Sequence, residues 1–196
     1  LCGDRDLVRA HAFLGEHSTL VIQRVNARNP RSIVKAAKGC HLLVNACPAV
    51  FNKTILHAAL QLRSHYIDTA SHLTQSPFRP EQHRFDRLFR EKNRLALIHA
   101  GVAPGLTNLL AMQAAAGLDT IERVQVRLFE ETASDNPVSQ WSADDSFDEA
   151  VSRPRIYRNG RFEFGERFGE RELFRFPAPI GQVGVLLAAQ EEVVTI

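Results

Sequence analysis

Over the first hundred residues two patterns of apolar positions take turns along the chain. Stretches with apolar residues at helical spacing alternate with short continuous apolar runs, and glycine, proline, asparagine and aspartate punctuate the boundaries. Leu1 to Gly3 reads as the remnant of a strand that ends at Asp4. Leu7, Val8, Ala10, Phe13 and Leu14 then predict a helix between Asp4 and Gly15, with an acidic start and a glycine stop. Thr19 to Val25 predicts a strand, and Asn29-Pro30 has the form of an N-cap followed by proline in the first turn of a helix that Gly39 stops. His41 to Ala46 predicts a further strand, and Asn52 to Arg63 a helix with Ile55, Leu56, Ala59 and Leu60 on one face. Tyr66 to Thr69 and Leu95 to His99 predict two more strands, separated by a helix from Pro80 to Asn93 that carries Phe85, Leu88 and Phe89 together. Parallel strands need crossovers and both faces of a parallel sheet need cover, so this alternation predicts an α/β, Rossmann-like doubly wound domain over residues 1–100.

Beyond residue 100 the pattern changes. Val124, Val126 and Leu128 alternate with Arg123, Gln125 and Arg127, which predicts a strand with one wet face. Asn159-Gly160 between RIYR and RFEF predicts a tight hairpin, because both central residues of a type I′ turn need positive φ. Ser142, followed three residues on by Asp145, opens a predicted short helix over SADDSFDEAV. Residues 101–196 thus read as a mixed α+β domain with antiparallel pairing.

Charge sharpens the division. Residues 1–100 carry 15 Lys and Arg against 7 Asp and Glu, and residues 101–196 carry 9 against 15, so the net +2 hides halves of +8 and −6. All eight histidines and all four lysines lie in the first half. The basic residues are scattered rather than clustered and are not interleaved with aromatics, which argues against nucleic acid and for an anionic small molecule as partner. With 44% hydrophobic and 23% charged residues the chain has the composition of a globular protein. Its apolar runs fall well short of the ~20 residues that span a bilayer, so no membrane role is expected. Three cysteines, Cys2, Cys40 and Cys47, are an odd number without a secretory leader, which points to a reducing, cytoplasmic compartment.

In an open parallel sheet, ligands sit outside the carboxyl ends of the strands. The residues that fall there are Asp4, Asn26, Asn45 with Cys47 and Pro48, Asp68 with Thr69, and His99 with Gly101. Asp4 is placed to accept hydrogen bonds from a ribose, and Arg5 beside it to meet a 2′-phosphate; the plainer role for Asp4 is to cap the following helix. A G-x-G-x-x-G loop is not present in the sequence, the nearest glycine spacings being Gly101/Gly105, Gly165/Gly169 and Gly181/Gly184. A dinucleotide fold needs that loop and the strand before it at the centre of its sheet, so the expectation is a piece of a longer protein with an incomplete sheet. Cys40, His41 and Cys47 lack metal-ligand spacing, so no metal is expected. Cys47 has no base paired with it in sequence and reads as a small apolar residue at a strand end rather than a nucleophile. GVAPGLTN, Gly101 to Asn108, is a Gly/Pro turn that enters a helix, whose free N–H groups suit an anion.

The strings LVNACPAVFNKTILHAALQLRSHYIDTA, ALIHAGVAPGLTNLLA, FPAPIG and EEVVTI, in that order, resemble the saccharopine dehydrogenase-like oxidoreductases over nearly the whole chain. The resemblance implies a nucleotide-binding domain to about residue 100, followed by a substrate and dimerisation domain. It implies hydride transfer between NAD or NADP and a C–N bond of an amino-acid or polyamine-like amine, in a homodimer. Carried over residue by residue, Asp4 and Arg5 meet the adenosine ribose, Asn45, Ala46, Cys47 and Pro48 line the dinucleotide with Gly101, and Pro104, Gly105, Leu106, Thr107 and Asn108 sit by the substrate. Asp68 and His99 are the candidates for proton transfer to the substrate nitrogen, and Arg153 and Arg155 for its carboxylates. The alternative is a non-catalytic remnant of the fold that only binds a ligand or partner. A sugar or alcohol dehydrogenase is disfavoured because Lys53 and Lys92 lack a Tyr-x-x-x-Lys partner.

Overall fold

The computed structural model describes residues 1–15, 19–73, 76–135 and 142–196. The chain falls into two compact units, Leu1–Gly101 and Val102–Ile196.

The first unit alternates strand and helix throughout. Its elements are β1 (Cys2–Asp4), α1 (Leu7–Leu14), β2 (Ile22–Arg24), α2 (Pro30–Ala36), β3 (Leu42–Asn45), α3 (Asn52–Leu62), β4 (His65–Asp68), α4 (Asp86–Glu91) and β5 (Ala96–Leu97). All pairings are parallel: β1 with β2, and β3 with β4 with β5. The parallel sheet therefore stands in two pieces, with β1 and β3 unpaired to one another among the described residues. Local chemistry sets the helix ends. Asn29 caps α2 through a side chain that accepts from the Arg31 N–H, with Pro30 in the first turn. Asp6, not Asp4, caps α1 by accepting from the Arg9 N–H, while Asp4 Oδ1 holds the Asp6 N–H at 2.8 Å. The reason is spacing: a cap bonds the N–H two or three residues on, and the first helical turn starts at Leu7.

Successive strand residues point to opposite faces, and among the described residues one face of the β3–β4–β5 sheet is packed far more closely than the other. Leu43 and Tyr66 turn into a core with Ile33 of α2 and Ala37 at its C-cap, Ile55, Leu56, Ala59 and Leu60 of α3, and Phe85 and Phe89 around α4. Leu42 and Val44, on the other face, are 44% and 64% exposed. The predicted helix from Pro80 opens as a 3₁₀ turn, Glu81–Phe85, before becoming α4, and the predicted strand to His99 pairs with β4 only through Ala96 and Leu97.

The second unit contains α5 (Leu106–Ala115), α6 (Ala143–Val151) and two antiparallel hairpins, β6 (Arg155–Arg158) with β7 (Arg161–Phe164) and β8 (Glu172–Arg175) with β9 (Gln182–Val185). Asn159 and Gly160 turn the first hairpin with φ of 53° and 78°, the double positive φ that the Asn-Gly pair announces. Ser142 caps α6 by accepting from the Asp145 N–H at 3.1 Å. FPAPIG forms the β8–β9 turn, closed by the Phe176 N–H on the Gly181 carbonyl. The predicted strand at Val124–Leu128 is corrected: the segment has no strand structure. It reaches β8 through side chains instead, with Arg127 on Glu172 and its guanidinium 4.6 Å from the Phe174 ring centroid. Alternation describes a strand only where a neighbour supplies the backbone ladder.

Candidate functional site

The ends of three strands of the first unit build one polar cluster. Register sets Asn45, the last residue of β3, beside Asp68, the last of β4. Both lie on the helix-covered face and are 2% and 1% exposed. A buried amide or carboxylate is tolerated when its hydrogen-bonding capacity is used inside, and here it is. Asn45 Nδ2 donates to Asn52 Oδ1 at 2.7 Å and to the Tyr66 hydroxyl at 3.0 Å, while its Oδ1 accepts from the Cys47 N–H. The Tyr66 hydroxyl donates to Asp68 Oδ2 at 2.9 Å, and Gln82 Nε2 reaches the same oxygen at 3.3 Å. Asp68 Oδ1 accepts from the His99 N–H at 2.8 Å. Asn52 Nδ2 and Gln82 Nε2 both donate to the Ala70 carbonyl, which pins the loop after β4.

Burial dominates the electrostatics of the cluster. It pushes the Tyr66 phenol well above its ordinary value, with the Asp68 charge adding to the effect, so the phenol remains a donor. It also pushes the Asp68 carboxyl up, against three hydrogen bonds that favour the ionised form. His99 moves the other way: burial, helped by His83 with ring centroids 6.1 Å apart, lowers the imidazole to about 4. His99 is thus neutral at pH 7, and its Nε2 is buried without a hydrogen-bond partner among the described residues.

Around this cluster lie the exposed candidates. Ala46 is exposed, Cys47, Pro48 and Gly101 are half-buried, and Asp4 and Arg5 are exposed at the end of β1. Burial pushes the Cys47 thiol up and the Asp4 carboxylate pushes it further, which keeps the sulfur protonated and unreactive. Asn26 Oδ1 accepts from the Arg28 N–H and shapes the turn into α2. Among the described residues no group of three His, Cys, Asp or Glu is placed to hold a metal ion.

In the second unit GVAPGLTN forms the entry to α5. Gly105 has φ of 133°, a conformation closed to ordinary side chains, and its N–H donates to Asn108 Oδ1 at 2.8 Å. Thr107 is buried and donates to Glu192 Oε1 at 3.2 Å, and Asn108 Nδ2 donates to Thr195 Oγ1 at 2.9 Å. Two strings far apart in sequence, GLTN and EEVVT, are thus bonded to each other. Leu106 is 49% exposed and Pro104 is buried.

Residues 1–97 match the model of the saccharopine dehydrogenase NADP binding domain. Over these residues the chain belongs to the saccharopine dehydrogenase-like family. A solved structure of similar fold is the apo saccharopine dehydrogenase (L-Glu forming) from Saccharomyces cerevisiae, with a TM-score of 0.60 and 14% identity over 92% of this chain. The chain spans 42% of that protein's length. The family is one of oxidoreductases, and the cofactor of the matched domain is NAD(P). In this saccharopine dehydrogenase-like chain the family's α/β fold is carried by the parallel strands of residues 1–97.

Of the residues that the sequence singles out, the structure gathers Asn45, Cys47, Asp68 and His99 in the first unit and Gly105, Thr107 and Asn108 in the second. Asn52, Tyr66 and Gln82 complete the cluster and were not singled out for it. Tyr66 carried a signal, being two residues before Asp68 on the same strand face. Asn52 and Gln82 carried none, since nothing in a helix's sequence says which buried strand end it faces.

Proposed function

We propose that the chain is the dinucleotide-binding and part of the substrate-binding portion of an NAD(P)-dependent oxidoreductase acting on a C–N bond of an amino-acid or polyamine-like substrate. The observation that carries this reading is the placing of His99 beside Asp68 at the carboxyl edge of a parallel sheet, its N–H on Asp68 Oδ1 and its buried Nε2 without a partner among the described residues. Proton exchange with an amine nitrogen needs a group that titrates near the working pH, and His99 enters that range only as bound substrate offsets the burial that lowers its imidazole to about 4. Asp68 fits a positioning role, because both its oxygens are occupied by Tyr66, Gln82 and the His99 backbone. Asn45 likewise fixes the loop that carries Cys47 and Pro48 rather than offering its own side chain.

The exposed rim fits the ribose end of a dinucleotide. Asp4 uses Oδ1 on the Asp6 N–H and keeps Oδ2 as an acceptor for ribose hydroxyls, while the exposed Arg5 suits a 2′-phosphate. When bound, the nicotinamide supplies or accepts the hydride. Thr107 and Asn108 serve the substrate side by fixing the α5 entry, with Pro104, Gly105 and Leu106 as its wall. The homodimer and the cytoplasmic location belong to the same reading, and three free cysteines are in keeping with a reducing compartment. A binding role without hydride transfer is favoured by one observation, the split of the parallel sheet between β1 and β3.

Fluorescence titration with NADPH and, separately, NADH at low salt tests the reading. Saturable binding is expected, and Arg5→Gln should weaken NADPH by about tenfold while sparing NADH, as loss of one charge-assisted phosphate contact implies. Binding of neither cofactor contradicts the oxidoreductase reading. Equal weakening of both removes Arg5 from the phosphate.

A further inference from the structure

β5 is only two residues long and lies at the edge of the β3–β4–β5 sheet, so its attachment to β4 rests on few bonds. The ladder sets Tyr66 opposite Ala96 and Ile67 opposite Leu97, with the Tyr66 N–H on the Leu95 carbonyl at 3.0 Å. Ahead of β4 the backbone leaves the ladder: Arg63 is left-handed at φ of 54°, and the Ser64 N–H returns to the Ala59 carbonyl of α3. The Leu95 N–H is taken up by a side chain instead, donating to His65 Nδ1 at 3.0 Å. From this bond we propose that His65 is a pH-sensitive latch on β5, closed while its imidazole is neutral and opened when the ring is protonated. The inference makes no use of the dinucleotide rim and goes beyond the proposed activity.

Nδ1 accepts a hydrogen only while it carries none, so the bond fixes neutral His65 as the tautomer with its proton on Nε2. Protonation of Nδ1 sets one donor against another, and the bond to Leu95 is lost. Histidine ordinarily changes charge between pH 5 and 8, and His65 is exposed, so its proton comes directly from solvent. The titratable and charged groups on the adjoining stretches are His41 ahead of β3, Arg63 after α3, and Lys92 and Arg94 ahead of β5. All are basic, so none of them offers the protonated ring an ion pair in exchange for the lost bond. Arg94 limits how far the opening spreads. Its Nε donates to the Arg63 carbonyl, a guanidinium nitrogen donates to the Asn93 carbonyl at 2.8 Å, and its N–H donates to the Phe89 carbonyl at 2.9 Å. An arginine keeps its charge across the whole range, so the chain ahead of β5 stays tied while Leu95 comes free, and the latch can close again. Further along, the same stretch supplies the His99 N–H to Asp68 Oδ1, so the latch holds one end of the span that carries His99.

NMR titration of the full chain from pH 8 to pH 5 tests the latch, following the ring nitrogens of His65 and the amide of Leu95. His99, lowered to about 4, stays neutral over this window and does not contribute. The expected result is a neutral His65 with its proton on Nε2 and a Leu95 amide shift that follows the His65 ring. Protection of that amide against exchange should fall about tenfold as the ring protonates. His65→Asn changes an exposed residue and carries an acceptor oxygen as far along the side chain as Nδ1, with no charge to gain. In this variant the Leu95 amide should keep its protection from pH 8 to pH 5. A neutral ring with its proton on Nδ1, or a Leu95 amide that does not follow His65, overturns the proposal. So does an unchanged pH response in His65→Asn, which would assign the effect to His41.

Discussion

A histidine with φ of 60° occupies a backbone region that asparagine and glycine visit more readily, and His99 is kept there by its neighbours. Its N–H donates to Asp68 Oδ1, and the next N–H, that of Ala100, donates to the Asp68 carbonyl, both at 2.8 Å. The imidazole is thereby buried in its neutral form. Its folded value of about 4 lies below the ordinary 6.5, so the stability it contributes is complete above pH 6.5 and is lost as pH falls towards 4. His99→Asn suits the same φ and removes the titration. Hydrogen exchange of the β4 amides across that pH range should show the wild-type protein loosening more steeply than the variant; parallel profiles would assign the pH dependence to other groups. Asp68 was legible as a strand end because the alternation of apolar runs locates where strands stop, whereas His99, expected to end a strand, lies two residues past β5. Their partners Asn52 and Gln82 were not, because contacts across a crossover depend on helix rotation, which local pattern leaves open.

At the scale of elements, α3 is the keystone of the first unit. Ile55, Leu56, Ala59 and Leu60 recur at the spacing that faces a sheet, and all are buried against β3, β4 and α2. Leu56, 1% exposed, has no room to be replaced by solvent. Leu56→Ala should cost about 2–5 kcal/mol in denaturant unfolding of that unit, through lost transfer energy and the cavity left behind; a cost under about 1 kcal/mol would place the core elsewhere. Strands and helices with strong local signals were legible to within a few residues: the Asn-Pro cap of α2, the Asn-Gly hairpin and the Ser142 cap of α6 each rest on chemistry inside four residues. The Val124–Leu128 alternation misled because a strand also requires a neighbour, and neighbours are set by the chain at a distance. Leu95 to His99 shortened for a related reason: past Leu97 the backbone leaves the ladder, and at His99 it bonds to Asp68 instead.

Across the whole molecule the charge separation follows the division into units, with the net +8 in residues 1–100 and the net −6 beyond them. A basic unit raises the local concentration of an anionic cofactor, which fits an NADP-binding domain over residues 1–97. Alternation made the α/β class legible, whereas the split of the parallel sheet between β1 and β3 emerges only from pairing. The central claim is that the carboxyl edge of this sheet is the dinucleotide rim. Mapping NADPH onto the protein by amide chemical shifts tests it most directly. The account predicts changes at Asp4 to Asp6, Ala46 to Ala49, Asp68 to Ala70 and Ala100 to Gly101, together at the ends of β1, β3, β4 and β5. Shifts confined to the opposite edge, at Leu42, His65 and Leu95, or to the second unit, would contradict it.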